Sequence, residues 1–275
     1  MNVEGFLTDC RAEWSAFDHP AALARAPHPR DRSLRPLLAA IPGMATENKL
    51  MLLNRAVRHL GPGEIYVEIG CWHGLSLAGA VFGHPQAPVY ACDDFSEFGG
   101  PRAALAETLA RWSAPGQVRF HDMDFRRFLA TAPWAPARVG VYFYDGAHDF
   151  DDQFAALQAM LPHLAPEALV VVDDTSWRHV RAANALFARH VPGFELLRDV
   201  RTPTSVSPAW WNGVQVYRWR GRPGTTLATP AGYAARRRWW DGAWLPAARA
   251  WWGARGLLAR VPGARRVWRR YAGAA

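Results

Sequence analysis

The chain has 275 residues, half of them hydrophobic and one fifth charged; this is enough apolar side chain for one large core, and it excludes a chain disordered throughout or a collagen-like one. No run approaches the roughly 18 uncharged apolar residues of a membrane-spanning helix, and the first ten residues carry Glu4 and Asp9 where a secretory leader would be basic and then apolar, so a cytoplasmic protein is expected. The formal charge of +8 is uneven: ten arginines against the single acid Asp241 give residues 233–275 a charge of +9 and leave residues 1–232 at −1, so any attraction for anions belongs to the tail.

Apolar residues recur at helical spacing at Val3, Phe6, Trp14 and Phe17, and again at Leu34, Leu37, Leu38 and Ile41 beyond a proline-rich break over 20–36. A firmer helix starts from Thr46 as N-cap, carries Leu50, Leu53, Val57 and Leu60, and stops at Gly61-Pro62-Gly63. Strand-like runs then alternate with helix-length segments, at 65–69, 89–92, 118–121, 139–144 and 169–172. Such alternation demands crossover connections and a parallel sheet covered on both faces. Two further runs, 194–200 and 214–219, are separated by a loop alone and read as an antiparallel pair at the sheet edge. The expected fold is therefore α/β, a Rossmann-like doubly wound and mostly parallel sheet of seven strands with N-terminal helices. Its expected divisions are a helical lid and substrate segment over 1–44, a cofactor-binding domain over 45–220, and an Arg- and Trp-rich tail over 221–275. The three cysteines, Cys10, Cys71 and Cys92, are too few and scattered for a disulfide framework or a CxxC metal site.

The first strand runs into Glu68-Ile69-Gly70-Cys71-Trp72-His73-Gly74-Leu75-Ser76. Glycines at a strand end and just inside the next helix permit tight turning and close approach of a ligand to the helix N-terminus. Neither GxGxxG nor GxxxxGK[ST] is present, which disfavours a pyrophosphate ligand. The second strand ends in Asp93-Asp94, and a carboxylate in that position accepts ribose hydroxyls in other nucleotide-binding α/β sheets. The fourth and fifth strands end in Asp145-Gly146-Ala147-His148 and Asp173-Asp174-Thr175. Neighbouring parallel strands deliver these ends to one crevice. Three clustered carboxylates need a counter-charge, and Asp145, Asp173 and Asp174 as an all-oxygen set suit Mg²⁺ or a similar hard ion. His148 has the chemistry of a general base, with Asp145 as the alternative.

Glycine turn, acid after the second strand, and five parallel strands with a closing hairpin together resemble the class I S-adenosylmethionine-dependent methyltransferases over about residues 45–220. Glu68-x-Gly70-x-x-x-Gly74-x-Ser76 is the most specific part of that resemblance. It implies that Glu68, Gly70, Gly74 and Ser76 face the methionine part of the cofactor, that Asp93 binds its ribose, and that Asp122 or Asp124 contacts its adenine. The acidic strand ends further resemble metal-assisted O-methyltransferases acting on sugar hydroxyls of natural products and glycans. The lysine-containing turn of the catechol-type enzymes is missing, since Lys49 is the sole lysine. The expected function is methyl transfer from S-adenosylmethionine to a hydroxyl of a sugar, glycan or natural product, assisted by a divalent metal, with Trp210 and Trp211 in the 201–212 loop available to stack on the acceptor. The tail, with Arg236 to Arg238 beside Trp239-Trp240, then Trp251-Trp252 and Arg265-Arg266, suits contact with an anionic membrane surface, though Pro246, Gly253, Gly256 and Pro262 argue against a continuous helix there. The alternatives are an RNA methyltransferase that uses the tail as an electrostatic clamp and a non-catalytic cofactor-binding protein. Nucleic acid is the less favoured partner because the body lacks a basic channel, and a homo-oligomer stays open.

Overall fold

The computed structural model of the protein describes residues 1–258, with side chains through Trp251. The tail positions Pro262, Arg265 and Arg266 singled out by composition lie outside the described residues, as does the side chain of Trp252.

Seven strands form one sheet: β1 (Glu64–Ile69), β2 (Val89–Asp93), β3 (Val118–Asp122), β4 (Arg138–Tyr144), β5 (Leu164–Asp173), β6 (Phe194–Val200) and β7 (Val214–Arg220). The spatial order is β3-β2-β1-β4-β5-β7-β6. The first five are mutually parallel, β7 runs antiparallel to β5, and β6 closes the edge. Strand order reverses between β1 and β4, so the connections leaving their carboxyl ends diverge and open a crevice there. Every expected strand is present. β5 starts five residues earlier than its apolar run suggests because Leu164 already pairs with Val139 across a register shift.

Alternation along the strands sorts their side chains to two faces. Tyr66, Val141, Phe143, Leu169, Val171, Val214 and Val216 point to one face. There they meet α1 (Val3–Glu13), α2 (Pro20–Leu23), α3 (Arg35–Ala40), α4 (Glu47–Arg58), α5 (Leu75–Val81) and α6 (Arg102–Trp112). Ile65, Val67, Ile69, Tyr142, Tyr144, Val170 and Val172 point to the other, packed by α7 (Phe125–Thr131), α8 (Phe150–Met160) and α9 (Arg178–His190). Thr46 caps α4 through Lys49 N–H, as its sequence position predicts. The break over 20–36 contains the short α2, whose first residue is Pro20, where a missing N–H costs nothing.

The N-terminal helices are part of the core. Val3, Phe6, Cys10, Trp14 and Phe17 are buried with α4 and the sheet, and only the 42–45 stretch reaches the crevice. Trp210, expected as a stacking platform, is fully buried; its indole Nε1–H donates to Leu23 O (2.7 Å) and its ring lies 5.5 Å from Trp14. That residue is core because the 201–213 loop folds back over the N-terminal layer, where Ala209 O accepts from Thr46 and Asn48.

The last described segment corrects the composition argument. α10 (Tyr233–Trp239) continues through a wide π turn over Trp240–Trp244 into α11 (Leu245–Leu258). The helix tolerates Pro246 because it stands at the start of α11, directly after the widened turn, where the ordinary backbone bond pattern is already interrupted. No helix among the described residues is long and apolar enough to cross a membrane.

Candidate active site

The crevice at the carboxyl end of the sheet is lined by residues 42–45, the turn 70–73 with Leu75 and Ser76, and Asp145. A second depression, lined by Gly63, Pro88, Arg119 and Ala137, lies at the opposite ends of the strands and contains none of the predicted site residues.

Gly70 is required where it stands. Its φ is +81°, and a Cβ there would come within 2.1 Å of the backbone oxygen of Asp145, so the ends of β1 and β4 meet only without a side chain. The turn then passes through Trp72, a non-glycine residue at φ +43°, and enters α5 at Gly74. Asp93 holds this turn in place: Oδ2 accepts the backbone N–H of Cys71 (2.9 Å) and Trp72 (2.8 Å), and Oδ1 that of Phe95 (2.8 Å). In this structure the carboxylate expected to bind ribose is therefore directed to the turn itself, and the acid of the same loop that faces solvent is Asp94.

Glu68 and Ser76 sit behind the glycine turn. Glu68 is completely buried, accepting from Ser76 Oγ and Tyr66 Oη at 2.5 Å each. Burial pushes its carboxyl up to about 8, against the pull of those two hydroxyls. It supports the turn from within. The two candidates for an adenine contact are also engaged: Asp122 pairs with Arg102 on the surface, and Asp124 caps α7 through the N–H groups of Arg126 (2.9 Å) and Arg127 (3.2 Å).

At the ends of β4 and β5 the expected convergence takes place. His148 Nε2 lies 3.5 Å from Asp145 Oδ1 and 3.5 Å from Asp174 Oδ2. Trp177 meets the imidazole edge-on at 5.2 Å between ring centres, and Tyr144 fixes the turn by donating to Ala147 O (2.6 Å). Burial disfavours the imidazolium, but Asp145, Asp174 and Asp173 outweigh it and raise the histidine pKa above its ordinary value. Asp145 is raised by burial and by Asp174, with His148 working the other way. Asp174 adopts φ +53°, in the left-handed region that aspartate enters more readily than most residues other than glycine and asparagine.

The fourth partner is one that reading the sequence misses. Lys49, on α4 and 124 positions away, inserts its ammonium beneath the rim and pairs with Asp173; both side chains are buried, at 3 % exposure. Asp173 Oδ1 also accepts the N–H of Asp174 (2.7 Å). The Asp145, Asp173 and Asp174 set expected to hold a metal is thus arranged as something else. Asp173 is turned to Lys49, while Asp145 and Asp174 flank His148. Among the described residues no group of three or more His, Cys, Asp or Glu side chains is placed to hold an ion. The reason is electrostatic: the counter-charge the carboxylates need is delivered by an ammonium and an imidazole, and the ammonium occupies a carboxylate that a hard cation would need. The only hint in the sequence is a lone lysine embedded in the apolar run of α4.

Residues 67–175 match the family model described as a methyltransferase domain. No curated protein matches the chain in sequence. Among solved structures, the O-methyltransferase TomG from Streptomyces achromogenes, involved in tomaymycin synthesis and solved with S-adenosylmethionine, is 17% identical, covering 73% of this chain and 95% of its own, with a TM-score of 0.54. A putative O-methyltransferase from Klebsiella pneumoniae is 17% identical over 76% of this chain and 98% of its own, with a TM-score of 0.53. An O-methyltransferase from Bacillus cereus, solved with S-adenosylhomocysteine, is 13% identical over 74% of this chain and all of its own, with a TM-score of 0.51. These proteins share the fold described above.

Proposed function

We propose that this class I S-adenosylmethionine-dependent methyltransferase acts on oxygen, at a hydroxyl of a sugar, glycan or natural product, with His148 as the proton acceptor. The observation that carries the reading is the histidine at the crevice rim, between two carboxylates and beside an aromatic wall. The cofactor fits what the residues offer: a tight glycine turn at the end of β1, held rigid by Asp93, and an opening lined by 42–45 and Asp145.

When bound, S-adenosylmethionine supplies an electrophilic methyl group on a sulfonium. The chain's own part is to hold an acceptor oxygen in line with that methyl, an arrangement worth up to about 7–11 kcal/mol, and to take its proton. Neutral His148 accepts that proton. Asp145 and Asp174 then stabilise the imidazolium across 3.5 Å each, and the Lys49–Asp173 pair keeps the cluster close to neutral. Trp177 offers a flat apolar surface to a sugar or aromatic ring. TomG, named for its part in tomaymycin synthesis, favours a natural-product acceptor over RNA. The donor set does not suit a divalent ion while Lys49 holds Asp173, so no step is assigned to one.

The test is His148→Asn assayed on a panel of glycosides and hydroxylated natural products, with S-adenosylhomocysteine affinity measured by calorimetry. The expected result is a loss of kcat of about 10²–10⁴-fold with cofactor affinity retained. Because a raised histidine pKa keeps the base protonated at low pH, wild-type kcat/KM should fall as pH drops through a value above 6.5, and the variant should lose that inflection. Chelators should leave the wild-type rate unchanged. A fully active variant removes His148 from the chemistry; a chelator-abolished rate restored by Mg²⁺ overturns the assignment of the counter-charge to Lys49.

A further inference from the structure

The C-terminal helices are fastened to the body along one side and carry a different chemistry on the other. On the inner side, Asp241 accepts the backbone N–H of Phe150 (2.8 Å) and Asp151 (3.0 Å), Tyr233 donates to Asp151, Leu245 is buried, and Trp244 packs 5.5 Å from His179. On the outer side, Trp239 and Trp251 are 58% and 61% exposed, among very few large apolar side chains so placed. Arg236 and Arg238 lie exposed beside the first of them, while Arg237 between them reaches Asp151 (3.3 Å).

We propose that the outer face of α10 and α11 adsorbs the protein to an anionic lipid bilayer, with Trp239 and Trp251 seated at headgroup depth and the neighbouring arginines against lipid phosphates. Leaving two indoles in water is unfavourable unless a partly apolar surface covers them, and the headgroup region is where an amphipathic ring with one N–H donor sits best. The charge agrees. Asp241, the one acid of residues 233–275, is turned inward to cap α8, and the chain after Trp251 adds six arginines and no acid. A second copy of the chain fits this face poorly, since it would bring the same positive surface. Single-stranded nucleic acid is held in basic grooves with stacked aromatics, whereas here the aromatics stand on a convex helix against a body of charge −1.

The test uses the full chain and vesicles of phosphatidylcholine alone or mixed with phosphatidylglycerol. The expected result is sedimentation with the mixed vesicles only, weakened at high salt, with tryptophan emission quenched by brominated lipid. Trp239→Ser with Trp251→Ser should weaken binding by about tenfold or more and remove most of the quenching, while S-adenosylhomocysteine affinity and the thermal midpoint stay at wild-type values. Arg236→Gln with Arg238→Gln should weaken it about tenfold through the charge alone. Equal binding to neutral vesicles, no binding to either, or anionic binding that the tryptophan pair variant retains in full would each overturn the proposal. So would a salt-sensitive shift of single-stranded RNA without vesicle binding.

Discussion

Glu68 shows how one buried carboxyl shapes the glycine turn after β1. Read as sequence, it stands in a glycine motif and is expected to face the ligand; in the fold it points inward, since β1 alternates and its neighbours Val67 and Ile69 belong to the opposite face. Its carboxyl is pushed up to about 8 from the ordinary 4.5, so the folded chain keeps a proton that the unfolded chain releases above about pH 4.5. The sign follows: this group favours folding least at high pH, and stability is lost as pH rises from about 5 to 8, by up to about 4 kcal/mol. Glu68→Gln should flatten that dependence, because an uncharged amide meets the two hydroxyls of Ser76 and Tyr66 as the neutral acid does. Guanidinium unfolding of both proteins at pH 5 and pH 8 is the measurement; parallel pH dependences would show that Glu68 does not hold its proton in the fold. Residue roles of this kind were only half legible. Asp145, His148, Asp173 and Asp174 could be brought together from strand order alone, because parallel strands end on one rim. Lys49 could not, because nothing local to an α4 position says which strand end lies above it.

At the scale of elements, periodicity carried most of the fold. Short strand-like runs between helix-length segments located all seven strands, and a capping threonine with apolar residues at three- and four-residue spacing located α4. The C-terminal helices were not legible, since Pro246, Gly253 and Gly256 lower local helix propensity while the stabilising contacts are tertiary. One of these is a borrowed cap. α8 begins at Asp149, whose side chain makes no capping bond; the free N–H groups of Phe150 and Asp151 are instead taken by Asp241 from the π turn. Asp241→Ala should therefore cost about 1 kcal/mol, the usual value of an N-cap, and should speed amide hydrogen exchange at Phe150 and Asp151. It should also loosen the C-terminal helices, seen as faster proteolysis near Arg236 to Arg238. Unchanged exchange at those two amides would mean that the cap is not made in solution.

At the scale of the whole molecule, the N-terminal layer and the rim at the carboxyl ends of β4 and β5 form one unit. Trp210 is tied to Leu23, Ala209 to Thr46 and Asn48, and Asp173 to Lys49, so α2 and α4 hold the last strands and the rim through buried polar bonds as well as a shared apolar core. Unfolding followed by far-ultraviolet dichroism and by tryptophan fluorescence should accordingly coincide in the wild type. One of these couplings is a buried ion pair, and a buried charge stripped of its partner is far costlier than the pair itself is worth. Lys49→Met should destabilise the chain by about 3–5 kcal/mol, whereas Lys49→Met with Asp173→Leu should recover most of that loss, because an apolar pair of similar volume leaves no orphaned charge. The pH dependence identifies the cause. Burial already drives the Asp173 carboxyl upward even with Lys49 opposing it; without the ammonium the folded variant keeps the acid protonated further, so its penalty should shrink at low pH and grow as pH rises. A penalty below about 1 kcal/mol at pH 8, or one independent of pH, would show that Lys49 does not neutralise this rim.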